Sequence, residues 1–164
     1  MSDQIFRFAD GKVEIRYENG DRYFGDYEDG KITGKGSMYY ADGRIYEGQF
    51  LEGHYHGYGR ARYLNGAVFE GTFCYNEFNG SGTLRLIRGS ETATMEGTWV
   101  RHRREGKGKN TYIGEDGSVK LIVEGEYHDD RLNGHVKKTW SDGRVEETEY
   151  VMGEPVGKPE ERPD

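Results

Sequence analysis

Histidines are the side chains in this sequence best suited to bind a metal. His54 and His56 stand two residues apart in the stretch YEGQFLEGHYHGYG, so both imidazoles are within reach of a single zinc ion. His102 and His128 fall near corresponding positions further along the chain, which leaves a zinc site between turns or between molecules as an alternative. No cysteine or second histidine pair lies close in sequence, and exposed turn residues are the simpler interpretation. We therefore predict no metal site.

A glycine-lysine segment, GKGKNT at residues 106–111, has some of the features of a phosphate-binding loop. A Walker loop needs Ser or Thr directly after its lysine, and Asn110 stands there instead. The chain also has no nucleophile elbow of the Gly-x-Ser-x-Gly type. Because no nucleophile is paired with a base, we predict no catalytic residue, no cofactor and no enzymatic activity.

The segment RHRR, Arg101 to Arg104, is a basic cluster that could contact a phosphate, a lipid headgroup or an acidic peptide. It lies in a chain of formal net charge −7, which disfavours nucleic acid or an anionic membrane as the main partner. Four residues make a weak electrostatic footprint, and a solvated turn is the preferred interpretation. A phosphoinositide or membrane-surface adaptor that uses this turn remains the alternative function.

The composition indicates a folded chain with little aliphatic core. Of its 164 residues 26 are glycine and 13 tyrosine, and aromatics reach 13%, whereas disordered chains are poor in aromatics. Cys74 is the single cysteine and cannot form an internal disulfide. The amino-terminal residues lack the basic and apolar regions of a signal peptide, and no apolar run is long enough to span a bilayer. We predict a cytoplasmic protein, with attachment to the cytoskeleton or a membrane through a partner as a further expectation.

The glycines recur with a period. An anchor glycine stands at Gly25, Gly48, Gly71, Gly97 and Gly125, at intervals of 23, 23, 26 and 28 residues. Another interval of 23 reaches residue 148, a threonine. Two residues after each anchor comes an aromatic side chain, and a second pair of glycines follows in most units. Fixed periods of this length are typical of repeat architectures.

Each repeat reads as a β-hairpin. In RIYEGQF at residues 44–50, Tyr46, Gly48 and Phe50 alternate with polar residues, which is the period of a strand. The dipeptides Asn-Gly and Asp-Gly in ENG, ADG, LNG and SDG are strong hairpin signals because both residues tolerate positive φ. Glycine inside a strand marks the close approach of another group, so we expect an aromatic ring from a neighbouring strand to lie across it.

The stretch YEGQFLEGHYHGYGRARYLNG resembles the MORN repeat, in which Tyr-x-Gly-x-aromatic precedes a glycine-rich turn and Gly-x-Gly. The resemblance covers about residues 20–157, as five repeats and a partial sixth. It implies an all-β fold, a single-sheet antiparallel β-hairpin solenoid that is elongated, twisted and often groove-shaped. We predict a non-repeat capping hairpin at residues 1–19 and a disordered tail at residues 158–164. The family occurs in scaffolds, membrane-junction proteins and ciliary proteins, so the resemblance implies an interaction role.

One face of the expected sheet is lined with aromatic residues, and nothing covers a single sheet. Such a face favours binding a protein partner through an extended or helical segment, since exposed apolar patches usually mark interaction sites. Complete use of the rings in internal packing is the alternative. The predicted partner-binding residues are Tyr27, Tyr40, Phe50, Tyr63, Phe73, Leu86, Trp99, Tyr112, Tyr127 and Trp140.

Two further features are expected on the surface. A column of glutamates on the first strand of each unit lies beside a column of basic residues on the second strand, which predicts a solvated ladder of cross-strand ion pairs rather than an acidic binding strip. The segments RLIRGSETATM and NTYIGEDGSVK lengthen two neighbouring connections. We expect both insertions to extend their hairpins beyond the same edge of the sheet.

Overall fold

The computed structural model describes residues 2–162, with the side chains of residues 2–157. Every regular element within that range is a β-strand, and the strands form one antiparallel sheet in sequence order. The all-β, single-sheet prediction is confirmed. The fourteen strands are β1 (Gln4–Arg7), β2 (Val13–Arg16), β3 (Arg22–Glu28), β4 (Lys31–Tyr39), β5 (Ile45–Leu51), β6 (His54–Arg62), β7 (Val68–Cys74), β8 (Glu77–Arg88), β9 (Glu91–Val100), β10 (Arg103–Ile113), β11 (Val119–His128), β12 (Arg131–Trp140), β13 (Val145–Val151) and β14 (Glu154–Arg162).

The register of the sheet follows the glycine period. Gly48 pairs with Gly36 on one side and with Gly59 on the other, and Gly59 pairs in turn with Gly71. The same alignment joins Gly97 to Gly82 and Gly108. The repeats are therefore consecutive hairpins of one meander, as the sequence predicts.

The two kinds of turn differ from the expectation for Asp-Gly and Asn-Gly. At Ala41–Gly43 only the glycine has positive φ, and the Gly43 amide donates to the Tyr40 carbonyl. The two-residue turns with positive φ at both positions lie at the opposite edge, where the hairpin signals in the sequence are weaker. They are centred on residues 29–30, 52–53, 75–76, 101–102, 129–130 and 152–153.

The chain divides into two compact units, unit 1 (Met1–Phe78) and unit 2 (Asn79–Asp164), with the division inside β8. The core of unit 1 is built of aromatic rings on one face of the sheet, which we call the aromatic face. Tyr46 and Phe69 are fully buried and stack on Tyr55 and Phe78, with ring centroids 3.6 Å and 3.7 Å apart. Phe73 meets both stacks edge-on, an arrangement that favours aromatic pairs beyond their buried area.

Unit 2 keeps the same register with a different core. Val123, Val136 and Tyr150 form a small buried cluster. The core of this unit also buries two polar side chains, Arg104 and Asn110. Unit 2 therefore replaces stacked rings by aliphatic contacts and hydrogen bonds.

Both insertions lengthen strands of unit 2. β8 continues to Arg88 and pairs with β9 up to Glu91, and β10 pairs with β9 and β11 up to Ile113. Each hairpin turn follows an even-numbered strand, so the two turns lie at the same edge of the sheet. The predicted placement of the insertions is confirmed.

The ends of the chain add one hairpin and one strand. β1 and β2 pair as a hairpin inside the segment predicted as an amino-terminal cap, 1–19. The segment predicted to be disordered begins at residue 158, and β14 includes its residues 158–162. The backbone of these residues pairs with β13, with Arg162 opposite Val145. Residues 163–164 of that segment lie outside the described residues.

Candidate functional site

Aromatic rings cover the glycines on the aromatic face, as the sequence predicts. The Tyr46 ring of β5 lies across the backbone of β6, where a Cβ at Gly59 would overlap it, and its hydroxyl donates to the Gln49 carbonyl at 2.8 Å. Tyr23 occupies the equivalent place over Gly36. Burial raises the pKa of the Tyr46 hydroxyl, so the ring stays neutral and acts as a packing element.

The predicted partner-binding residues all lie on this face, and none is fully exposed. Four of them are buried, at 1–4% exposure: Phe50, Phe73, Trp99 and Tyr127. The other six are half-buried: Tyr27, Tyr40, Tyr63, Leu86, Tyr112 and Trp140. Their use as a partner-binding surface stays a prediction.

One residue of that set lies in unit 2 between the two lengthened hairpins. Tyr112 lines a pocket of about 260 Å³ together with Ala93, Met95 and Ile113. Arg88, Glu91 and Lys120 supply its charged rim. The pocket is large enough for one side chain of a partner, although too small for a drug-sized ligand.

The basic turn is largely neutralised within unit 2. Arg103 is paired with Asp129, and the buried Arg104 lies 3.8 Å above the Tyr127 ring while its side chain reaches Asp130. Among residues 2–157, Arg101 is the only arginine of the turn without a carboxylate partner. Two of the three guanidinium groups thus already have partners, which weakens the turn as a site for phosphate or lipid.

The histidines do not converge on a metal site. His54 Nδ1 lies 2.8 Å from the Asn76 amide, and His56 packs edge-on against Tyr75. His128 Nδ1 lies 2.7 Å from a Glu105 carboxylate oxygen, which raises the pKa of His128. No group of three or more His, Cys, Asp or Glu side chains placed to hold a metal occurs among the described residues.

The opposite face of the sheet carries a shallow groove in unit 1, which we call the glycine groove. Its floor is the bare backbone of Gly25, Gly36 and Gly48, whose neighbours point to this face, and its volume is about 600 Å³. Bulges beside Gly25 and Gly48 bend the strands next to this row. The walls are Lys12, Phe24, Lys35, Ser37, Glu47, Gln49 and Tyr58.

Two aromatic side chains project from the walls of the glycine groove into solvent. Phe24 is 43% exposed and Tyr58 58% exposed, in contrast to the rings of the aromatic face. Tyr58 is positioned by its hydroxyl, which donates to Glu70 at 2.7 Å, and by its amide, which donates to the Gln49 side chain at 2.8 Å. Phe24 has the Phe8 ring beside it, with centroids 5.6 Å apart. Exposed rings positioned in this way beside bare backbone can bind an apolar ligand without rearrangement.

A second groove, of about 730 Å³, lies along Gly97, Gly108 and Gly125 in unit 2. Its walls are mostly charged, and the lining contains no Phe, Tyr or Trp: Glu96, Lys107, Lys109, Glu124, Glu126, His135 and Lys137. The glutamate and basic columns are opposite each other in register, as in Glu96 and Lys109. Across the columns of both units, the described side chains form one ion pair within 4 Å, between Arg60 and Glu70 at 3.9 Å. Most charge pairs of the predicted ladder are therefore too far apart to form an ion pair.

Sequence reasoning missed the glycine groove. The sequence predicts a ladder of ion pairs on this face and places the partner-binding residues on the aromatic face. The signal was available: Phe24 and Tyr58 interrupt that polar face, because each is directly next to a glycine of the period. An aromatic residue that alternation places on the solvent side of a strand is a candidate binding residue.

Comparison with known proteins identifies the repeat and the fold. The MORN repeat model matches residues 23–43, 46–68, 96–119 and 124–143. These segments leave out residues 69–95 and 144–164. No curated protein matches the sequence significantly. No helix among residues 2–162 is long and apolar enough to cross a membrane.

Two solved structures from Drosophila melanogaster share the fold. The TCP domain of SAS-4 in complex with a proline-rich motif of Ana2 has 16% identity and a TM-score of 0.52, and the match covers 99% of this chain and 90% of that one. The TCP10c domain of Sas-4 has 17% identity and the same TM-score, with 99% of both chains covered. The four matched segments of the repeat model span more than half of the sequence and lie on the hairpins β3–β4, β5–β6, β9–β10 and β11–β12, and the chain belongs to the MORN-repeat family.

Proposed function

We propose that the protein is a non-catalytic interaction module that binds an extended, proline-rich segment of a partner protein along the glycine groove of unit 1. The observation that carries the proposal is the exposure of Phe24 and Tyr58 on opposite walls of a row of bare glycine backbone. Proline-rich segments dock in aromatic-lined grooves because their rings pack on aromatic faces.

Accessibility favours this groove over the aromatic face. A partner contacts what solvent reaches, and Phe50 and Phe73 are 4% and 1% exposed. Displacing these rings, which meet the stacked rings edge-on, would expose the core of unit 1. The glycine groove offers aromatic contact with no such cost. The aromatic face is the competing site for the same function, through the Tyr112 pocket in unit 2.

The repeat distance of the sheet suits a polyproline II ligand. Adjacent strands lie about 4.8 Å apart, so equivalent positions of successive hairpins are about 9.6 Å apart. A polyproline II helix advances about 9.3 Å in its three-residue turn. A segment that crosses the strands along the groove therefore places an equivalent residue on each hairpin. An extended β ligand repeats at about 6.8 Å and loses this match.

The polar groups of the groove complement such a ligand. Proline has no N–H, so the glycine floor need not supply an acceptor for it. Its carbonyl groups need donors. The Lys35 ammonium lies on the wall, and no hydrogen-bond partner for it is found among residues 2–157. Lys12, which pairs with Asp26 at 2.8 Å, is a less available donor.

The similarity to SAS-4 supports the class of ligand. That protein has the same kind of sheet and is seen with a proline-rich motif of another protein. At 16% identity the likeness concerns the fold, so the choice of groove rests on Phe24, Tyr58 and the glycine row. A cytoplasmic location, with attachment to the cytoskeleton or a membrane through the partner, remains part of the proposal.

The binding test uses labelled nonaproline, which is about 28 Å long as polyproline II. Anisotropy is measured on the full chain and on Phe24→Ser and Tyr58→Ser. Each change should weaken binding at least about thirtyfold if the ring is an anchor. Tyr39→Ser is the matched control, because Tyr39 is 43% exposed and does not line the groove. It should bind like the parent chain.

Other outcomes would redirect or reject the proposal. Loss of binding in Tyr112→Ser, with Phe24→Ser and Tyr58→Ser unaffected, would move the site to the aromatic face. Failure of the parent chain to bind nonaproline at all would reject the groove as a polyproline site. Flotation with phosphoinositide vesicles that is lost in Arg101→Ala would favour the membrane adaptor instead.

A further inference from the structure

The first strand leaves one edge of the sheet open. β1 is terminal in the strand order, and its Ile5 and Phe6 side chains are 47% and 41% exposed. Open edges with apolar side chains attract a further strand unless charge or proline protects them. The other terminal strand, β14, contains Pro155 and lies beside the acidic β13. β1 has no proline and no lysine.

The backbone groups available at this edge follow from the β1–β2 hairpin. The Phe8 amide donates to the Lys12 carbonyl, and the Phe8 carbonyl accepts from the Gly11 amide. Phe8 therefore faces β2, and the alternation of an antiparallel ladder makes Phe6 and Gln4 do the same. The N–H and C=O groups of Ile5 and Arg7 therefore point away from the sheet, and the same alternation, continued one residue before β1, gives Asp3 this direction.

We propose that this edge pairs with β1 of a second copy of the chain, antiparallel and about a two-fold axis at Ile5. In this register Ile5 is opposite the partner's Ile5, and Asp3 is opposite the partner's Arg7. The outward groups of these three residues then form about six backbone hydrogen bonds across the axis, by the pattern of antiparallel pairs. A two-fold axis makes the interface isologous and closed.

Charge complementarity selects a second copy and this register. Ile5, which pairs with buried Ile15, lies on the aromatic face, and alternation puts Asp3 and Arg7 on the same face. Each dimer thus has two opposite-charge pairs flanking an apolar pair. Centring the axis on Phe6 would place Arg7 opposite Ile5 and leave both charges without partners. The groups are also pre-positioned, since Asp3 accepts from the Glu18 amide at 2.9 Å and Arg7 lies over the Tyr27 ring.

Sedimentation equilibrium of the full chain, with no tag at its amino end, tests the proposal. We expect a reversible monomer–dimer equilibrium. Asp3→Arg and Arg7→Asp each put like charges opposite one another and should raise the dissociation constant at least about tenfold. An equimolar mixture of the two variants should form a heterodimer at least as tight as the parent dimer, because every pair is then again of opposite charge.

Ile5→Pro provides a second route to the same interface. It removes an outward N–H that β2 does not use, so the far-UV spectrum should be unchanged while the dimer is lost. If the spectrum does change, the charge-reversal pair decides alone. Glu154→Arg at β14 is the control and should leave the dimer intact. Tyr58→Ser separates this edge from the glycine groove and should also dimerise normally.

Three results would overturn the proposal. The first is a monomer at every concentration reached. The second is a dimer that survives both charge reversals, or that Ile5→Pro leaves unchanged in a folded chain. The third is an open-ended polymer sensitive to both Ile5→Pro and Glu154→Arg, which would mean that β1 pairs with β14 of the next molecule.

Discussion

Units 1 and 2 have the same hairpin register and different solutions to burying one face of a single sheet. In unit 1, Tyr55 and Phe78 each stack on a ring of the preceding strand. Each lies four residues before a glycine of the period, Gly59 and Gly82. In unit 2 the same position holds Arg104, whose guanidinium donates to Asn110 Oδ1 at 2.7 Å. The position that holds a stacked ring in unit 1 holds a hydrogen-bonded guanidinium in unit 2.

The contrast extends to the opposite face. The groove of unit 1 has Phe24 and Tyr58 on its walls, and the groove of unit 2 has alternating charges. The glycine row and its bulges are thus a property of the repeat, while the chemistry on either face varies between units. The repeat therefore specifies the backbone geometry, and the residues beside the glycines determine the chemistry of each face.

Removing a stacked ring should have the largest effect. Tyr46→Ala is expected to destabilise unit 1 by about 3–5 kcal/mol, because it deletes a fully buried ring and leaves a cavity. Urea unfolding followed by far-UV dichroism measures the change. Both tryptophans, Trp99 and Trp140, belong to unit 2, so their fluorescence reports that unit separately. A loss below 1 kcal/mol would show that the stacks are not what stabilises unit 1.

Breaking the polar arrangement of unit 2 should cost less. Arg104→Met leaves the buried Asn110 oxygen without its donor, at a cost of about 1–3 kcal/mol in unfolding free energy. Adding Asn110→Ala, which copies Ala61 at the equivalent position of unit 1, should recover part of that loss. Tryptophan-detected urea unfolding measures both variants. Strict additivity of the two losses would contradict a coupled pair.

The two-residue turns should give a smaller effect that is alike in the two units. The second turn position is Gly53 in unit 1, with φ 86°, and Gly153 in unit 2, with φ 91°. Gly53→Ala should destabilise unit 1, and Gly153→Ala should destabilise unit 2, each by about 1 kcal/mol, since a side chain disfavours that conformation. Thermal unfolding of the two variants checks both signs, and a stabilising change in either would refute the assignment of turn strain.

The smallest expected effect is a pH dependence at His128. Its hydrogen bond to Glu105 raises the pKa of His128 above 6.5 and lowers the pKa of Glu105. The stability from the histidine is complete below pH 6.5 and is lost as pH rises through the higher folded value. The part from Glu105 is lost as pH falls through its lowered pKa. An NMR titration of the His128 ring should show the shift, and Glu105→Gln should abolish it.

The sequence was sufficient for the fold because glycine spacing and period-2 alternation act at every hairpin. It predicted the meander, the packing of rings over glycines of a neighbouring strand, and the edge at which both insertions lie, although the ring contacts are at Gly36 and Gly59 rather than at the expected Gly48. It did not predict how far Phe50 and Phe73 are buried, because burial in a one-layer sheet depends on how rings of adjacent strands stack. Nor did it predict the partners of Arg103 and Arg104, which come from Asp129 and Asp130, more than twenty residues away.

The most direct test of the central claim is to map nonaproline binding by amide NMR shifts of the full chain. We expect the perturbed amides to centre on Gly25, Gly36 and Gly48 of unit 1 and on the neighbouring Phe24 and Tyr58. Shifts at the matched glycines of unit 2, Gly97, Gly108 and Gly125, should be small, because the walls there are charged. Perturbations centred instead on Trp99 and Tyr112 would contradict the claim and assign binding to the aromatic face.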